Sequence, residues 1–174
     1  MPEKALDYTI RQATVDDARA IAGVYVQSWQ SSYQQILPDE LLRGLSVESR
    51  VDGWTRSLTE PRHVTFVADT RERGMVGFCD AGPNRTKPKT FEGEVYAIYL
   101  LDEAKRQGIG RALFQAAAAS LRQNGLSSLI VWVLPANVAA RHFYQRLGGE
   151  MVAEKSISIA GASYGEVAYG WTAR

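Results

Sequence analysis

Residues 94–134 constrain the fold more than any other stretch of this 174-residue chain. EVYAIYLL at 94–101 is a strongly apolar strand, GIGRALFQAAAASLRQNG at 108–125 reads as a helix, and SSLIVWVL at 127–134 is another buried strand. Ile109, Ala112, Leu113, Ala116, Ala117, Ser120 and Leu121 recur at helical spacing on one face. Gly125 is placed to stop that helix. A strand, a crossover helix and a second strand require a sheet covered by helices. Such a sheet is expected to bury 94–101 on both faces.

The flanking segments extend the pattern. YTIRQ at 8–12 predicts a short strand, and TVDDARAIAGVYVQSW at 14–29 a helix capped by Thr14. SSYQQILPDELLRGLSVESRVDGWTRSL predicts two short helices split near Pro38. HVTFVADT at 63–70 and MVGFCDAG at 75–82 predict a hairpin joined by RERG. After 134, NVAARHFYQRLGG at 137–149 predicts a short helix, and MVAEKSISIAG and SYGEVAYGW two last strands turning at Gly161. The expected class is α/β (α+β), a mixed central sheet flanked by helices. Residues 1–174 are expected to form a single domain.

Composition removes several classes of function. Twenty basic against 19 acidic residues leave a net charge of +1, so nothing demands a nucleic acid or a membrane. One cysteine, Cys79, allows no intrachain disulfide, and with two histidines it suggests no metal cluster. Cys79 reads as a buried core thiol. No segment reaches the ~20 apolar residues of a bilayer span. MPEKALDYTI lacks the order of a signal peptide, so the cytoplasm is the expected compartment.

The sharpest chemical feature is KRQGIGRAL at 105–113, between strand and helix. Gly108 and Gly110 allow close approach of backbone to a ligand. The free N–H groups of a first helical turn attract phosphate. Lys105, Arg106 and Arg111 oppose the helix dipole there, which a diphosphate ligand would explain. A tight turn with solvated basic residues is the plain alternative. Neither a GxxxxGK[ST] phosphate loop nor a full GxGxxG is present.

Lys105-Arg106-Gln107-Gly108-Ile109-Gly110 and the later N-V-A-A-R-H-F-Y-Q-R-L-G-G resemble the GCN5-related N-acetyltransferase superfamily. The first matches that family's Arg/Gln-x-x-Gly-x-Gly/Ala acetyl-CoA motif, with Lys105 in the Arg/Gln place. The second supplies Asn137, Ala140, Phe143, Tyr144 and Gly148, with Gly149 where the family usually has Phe. The resemblance spans essentially the whole chain and is weakest between residues 30 and 60. It implies the acyl-CoA N-acyltransferase fold with the fourth and fifth strands splayed. It also implies that the N–H groups of residues 106–111 cradle a pyrophosphate. Leu100 and Leu101 would border the splayed gap that takes the pantetheine arm, and an N–H near Leu100 would polarise the thioester carbonyl. Asn137 would hydrogen-bond that arm, and Tyr144 would serve the sulfur as proton donor.

Acyl transfer also needs the amine neutral. Glu92, Glu94 and Tyr96 share one parity on an extended chain, in a row leading to Leu100. Glu94 is the first candidate base and Glu92 the second; solvated strand-edge charges are the alternative for both. Trp29 and Tyr33 are expected on one wall of the acceptor site, with Tyr96 or Tyr99 as a further lining residue, and interior packing is equally open to them. Asp39 and Glu40 suit either a cationic acceptor or a helix start. Arg85, Lys87 and Lys89 suit either a solvated loop or an acidic ligand. His63 has no Ser/His/Asp arrangement visible in the sequence, and His142 reads as surface.

The expected function is transfer of an acetyl group from acetyl-CoA, as acyl donor, to a primary amine of a small molecule or peptide. The alternative is a non-catalytic acyl-CoA-binding sensor. A third reading is an interaction protein that dimerises through Tyr164, Tyr169 and Trp171; a homodimer is compatible with any of them.

Overall fold

The computed structural model describes residues 5–173. Strands β1 (Tyr8–Gln12), β2 (Val64–Thr70), β3 (Gly74–Pro83), β4 (Gly93–Leu100), β5 (Leu129–Val133), β6 (Glu150–Ile159) and β7 (Ala162–Trp171) form one sheet in the order β1-β2-β3-β4-β5-β7-β6. Only the β4–β5 pair is parallel among the described strands. It is joined by helix α4 (Ile109–Gln123), as a parallel pair requires. Helices α1 (Ala18–Ser32), α2 (Asp39–Arg43) and α3 (Glu48–Thr59) precede β2, and α5 (Val138–Arg146) follows β5.

Two apolar layers sandwich the sheet. On one face Ile109, Leu113, Phe114, Ala117 and Leu121 of α4 pack on Val64, Val76, Val95 and Val131. On the other, Ile21 and Val24 of α1 pack on Val67 and Phe78. Leu113 is fully buried, so its truncation to alanine would cost about 2–5 kcal/mol. The mixed sheet flanked by helices is the expected class. Among the described residues no helix is long and apolar enough to cross a membrane.

Two local expectations are corrected. Thr14 is the N-cap as expected, but of a 3-10 turn, Val15–Asp17, that runs on into α1, and its N–H donates to Asp17 Oδ2 at 2.8 Å. Pro38 does not split two helices: it leads into α2, and the break falls at 44–47, after Arg43. Proline lacks the N–H a helix interior needs but fits its start.

The third correction concerns β4, which is buried only at Gly93–Val95. Asp80 pairs with Ala97 and Ala81 with Val95, so Tyr96 is a bulge. Pairing to β5 stops at Val95–Val131, and the strand then runs on to Leu100 beside an opening. Bulge and splay coincide, and the second half of β4 lines cavities instead of filling a core.

Candidate active site

Two cavities meet at the opening between β4 and β5. The larger, about 570 Å³, lies toward α4 and α5. The smaller, about 390 Å³, lies toward Trp29, Leu134 and the β6–β7 hairpin. Tyr33, Tyr96, Tyr99, Trp132 and Val133 border both. A molecule reaching through the gap would touch both chambers.

The larger chamber has a floor of backbone donors. Among the described residues, the N–H groups of Arg106, Gln107, Gly108, Ile109, Gly110 and Arg111 have no hydrogen-bond acceptor; the ladder of α4 begins with Ala112 N–H to Gly108 O at 3.0 Å. Arg106 and Gly108 hold positive φ, 59° and 82°, which turns the loop into a concave nest. Gly110 has a different task. A Cβ there would lie 3.2 Å from both Leu100 Cδ1 and Phe143 Cε2, so glycine lets α4 approach β4 and α5. Lys105, Arg106, Arg111 and Arg146 line this end, and Arg146 stands at no matched motif position. Lys105 Nζ pairs with Asp102 Oδ1 at 2.6 Å, and Ser31 Oγ donates to the other carboxylate oxygen at 2.5 Å. These bonds hold the Asp102 carboxyl below its ordinary range, Lys105 first.

The exposed edge of β4 supplies the next groups. Leu101 N–H donates to Val76 O at 2.9 Å, so Leu101 faces β3 and is not among the cavity residues. Ladder alternation then turns Tyr99 and Ala97 toward β3, and the N–H groups of Ile98 and Leu100 toward the gap. Leu100 lines the chamber. The side chains of Gln107 and Ile109 do not. Gln107 accepts from Leu6 N–H at 2.7 Å and donates to Glu103 O, while Ile109 is core.

Asn137, Ala140, Phe143 and Tyr144 line the opposite wall. Asn137 Oδ1 caps α5 by accepting from Ala140 N–H at 3.2 Å, which leaves its amide N–H groups as donors. Tyr144 is buried beside Tyr169 and Trp171, and its hydroxyl has no hydrogen-bond partner among the described residues. Burial pushes this phenol well above its ordinary range, so it stays protonated. A Cβ on Gly149 would meet Trp171 Cζ2 at 2.7 Å. The indole fills that space, packs at a tilt against Phe114 and donates to Leu147 O at 2.9 Å. Tyr169 and Trp171 therefore serve the interior rather than an exposed face.

The smaller chamber holds the carboxylates. Glu94 is buried, accepts from Arg85 N–H at 2.9 Å and lines this cavity. Glu92 lines neither cavity; it is exposed, and its Oε2 accepts from Ser127 and Ser128 N–H groups at 2.7 and 3.3 Å. It ties the entry of β5 to β4. The expected row from Glu94 to Leu100 is broken, because the bulge at Tyr96 reverses the parity: Leu100 packs toward α4, Ala97 and Tyr99 toward α1. Trp29, Tyr33 and Tyr96 line this chamber. Tyr96 donates to Pro83 O at 2.6 Å, and burial pushes its phenol up to about 12. Glu166, which no motif singled out, enters from β7, and burial raises its carboxyl.

One arrangement invisible in the sequence forms behind Tyr96. Ser57 Oγ lies 3.0 Å from His63 Nδ1 and donates to Asp80 Oδ2 at 3.3 Å, while Asp80 Oδ1 accepts from Thr65. Hydroxyl and carboxylate approach the same ring nitrogen, whereas a nucleophilic triad uses opposite nitrogens. The cluster braces Tyr96, whose ring lies 4.8 Å from His63.

Residues 20–149 match the acetyltransferase (GNAT) family. The chain belongs to this family. As a GNAT protein it is an acetyl-CoA-dependent N-acetyltransferase acting on an amine. It is 42% identical over 164 residues to the uncharacterized N-acetyltransferase YuaI of Bacillus subtilis, covering 94% of this chain and 92% of that one. A mycothiol acetyltransferase of Saccharomonospora viridis is 37% identical over 92 residues, half of this chain but 30% of that protein. Among solved structures, PaiA N-acetyltransferase from Thermoplasma acidophilum in complex with coenzyme A superposes with a TM-score of 0.70 at 19% identity, covering 93% and 98% of the two chains. At that identity the likeness speaks for the GNAT fold.

Proposed function

We propose that this GNAT enzyme transfers the acetyl group directly from acetyl-CoA, bound in the larger chamber, to an amine held in the smaller one. The observation that carries the reading is the run of unpartnered N–H groups from Arg106 to Arg111, set in the same cavity as the free edge of β4. That set suits a diphosphate followed by an amide-bearing arm. Lys105, Arg106, Arg111 and Arg146 would add charge for the phosphates, and Asn137 a donor for the arm. Bound acetyl-CoA would supply the thioester, and the Leu100 N–H would donate to its carbonyl oxygen.

Proton bookkeeping assigns the remaining roles. The amine nitrogen forms a bond to the carbonyl carbon, and the carbon–sulfur bond breaks. One amine proton passes to the Glu94 carboxylate, directly or through water. The departing sulfur takes a proton from Tyr144, whose burial keeps that proton in place. Trp29, Tyr33 and Tyr96 would shape the acceptor chamber. Residues 1–174 would act as one domain, and the lone buried thiol of Cys79 suits a cytoplasmic setting.

Calorimetric titration with acetyl-CoA, followed by an amine panel read as free-thiol release, tests the reading. Binding with amine-dependent thiol release is expected. Absence of binding at millimolar acetyl-CoA removes it, and binding without turnover across the panel would indicate a sensor.

A further inference from the structure

The smaller chamber carries four charged side chains in a definite arrangement. Glu94 and Glu166 are only 6% and 16% exposed, whereas Arg85 and Lys155 are 57% and 33% exposed. Each cation lies 3.6 Å from one of the acids. The Arg85 guanidinium sits 3.6 Å above the Tyr96 ring, and Lys155 Nζ 4.2 Å from the Trp132 ring centroid. Tyr96 and Trp132 also border the larger chamber. The acids thus lie inward and the cations outward, both cations parked on aromatic faces.

We infer that the acceptor is a small zwitterion, a free amino acid whose ammonium enters toward Glu94 and Glu166 and whose carboxylate meets Arg85 and Lys155. This rests on the acetyltransferase reading above. A simple ammonium would draw both acids from their cations and leave Arg85 and Lys155, at the outer end of the chamber, without their carboxylate partners. A carboxylate on the same molecule restores the balance. Arg85 presents a planar fork suited to it. Trp29, Leu134, Ile157 and Ile159 make the remaining wall apolar, which favours an apolar or aromatic side chain. The volume of about 390 Å³ sits near the small end of ligand sites.

The test compares each of the common apolar and aromatic amino acids with its own amide, by thiol release at fixed pH with saturating acetyl-CoA. The amide has the less basic amine and more of its neutral form, so amine acidity cannot produce a preference for the acid. At least one free acid should exceed its amide by about tenfold or more in kcat/KM, as expected for a lost charged hydrogen bond. Arg85→Gln with Lys155→Met should erase that preference, and Lys155→Arg alone should keep it. Acetyl-CoA affinity should be unchanged in both variants. If the double variant does not fold, the wild-type comparison decides alone. Amides turned over as well as the acids, or turnover confined to amines lacking a carboxylate, would overturn the inference and leave the acetyltransferase reading standing. No transfer to any amine, with acetyl-CoA bound, would remove both.

Discussion

The two chambers are built by opposite strategies. The larger is made mainly from one continuous stretch, β4 through α5, whose loop, helix start and cap follow one another within residues 93–147. The smaller draws Trp29 from α1, Arg85 from the β3–β4 loop, Glu94 from β4, Lys155 from β6 and Glu166 from β7. The first presents backbone N–H groups that any sequence of the right shape supplies. The second presents side chains brought from five separate elements and paired across the chamber, Arg85 with Glu94 and Lys155 with Glu166. The difference puts a common donor on one side of the gap and an individual choice of acceptor on the other.

The largest expected effect lies on the wall of the larger chamber, at Tyr144. Tyr144→Phe should lower kcat by about 10²–10⁴-fold, the usual worth of a positioned proton donor. Acetyl-CoA affinity by calorimetry should stay nearly constant, because the ring packing is kept. A kcat within a few-fold of the parent would make Tyr144 a packing residue and leave the site without a donor. Next in size, Glu94→Gln should reduce kcat/KM by about 10²-fold. Glu92→Gln, two residues away and facing Ser127 and Ser128, should leave kcat/KM unchanged. Equal losses in the two variants would break the division between catalytic and framework carboxylates.

The same contrast explains what could be read from the chain alone. The strand–helix–strand unit, the nest at Gly108 and the cap at Asn137 are local, so spacing and glycine placement carried them. Glu166 was illegible because nothing near it in sequence marks it; only the β5–β7 pairing brings it to the gap. Arg146 lies inside the 137–149 motif but at none of its matched positions, so the motif did not single it out. The false row from Glu94 to Leu100 came from assuming a regular strand. The bulge at Tyr96 adds one residue and turns the remainder over, which the alternation of polar and apolar side chains does not announce. Ser57, His63 and Asp80 come from α3, a loop and β3, so their meeting depended on the hairpin register.

Gly149 tests how far the continuous half depends on a distant partner. The space beside it is filled by Trp171 of β7. Gly149→Phe should therefore destabilise the protein by about 1–3 kcal/mol, through overpacking against the indole. The measurement is the urea midpoint at constant m. Combining it with Trp171→Ala should recover part of the loss, since the two residues then cease to compete for one site. A neutral single variant would mean that the helix end yields freely, and that the indole does not fix the wall carrying Tyr144.

Lys105→Arg should have the smallest effect. Lys105 acts as a point charge at the rim, held by Asp102, while the phosphate floor is backbone. An arginine would keep the charge and add a planar fork that can reach both Asp102 and a phosphate oxygen. The expected result is a KM for acetyl-CoA within about threefold of the parent, with kcat unchanged, because charge is conserved and only orientation is altered. A tenfold or larger change in either direction would show that the side chain at 105, rather than the nest from Arg106 to Arg111, sets the position of the diphosphate. The continuous chamber would then rely on a particular side chain as much as the assembled one does.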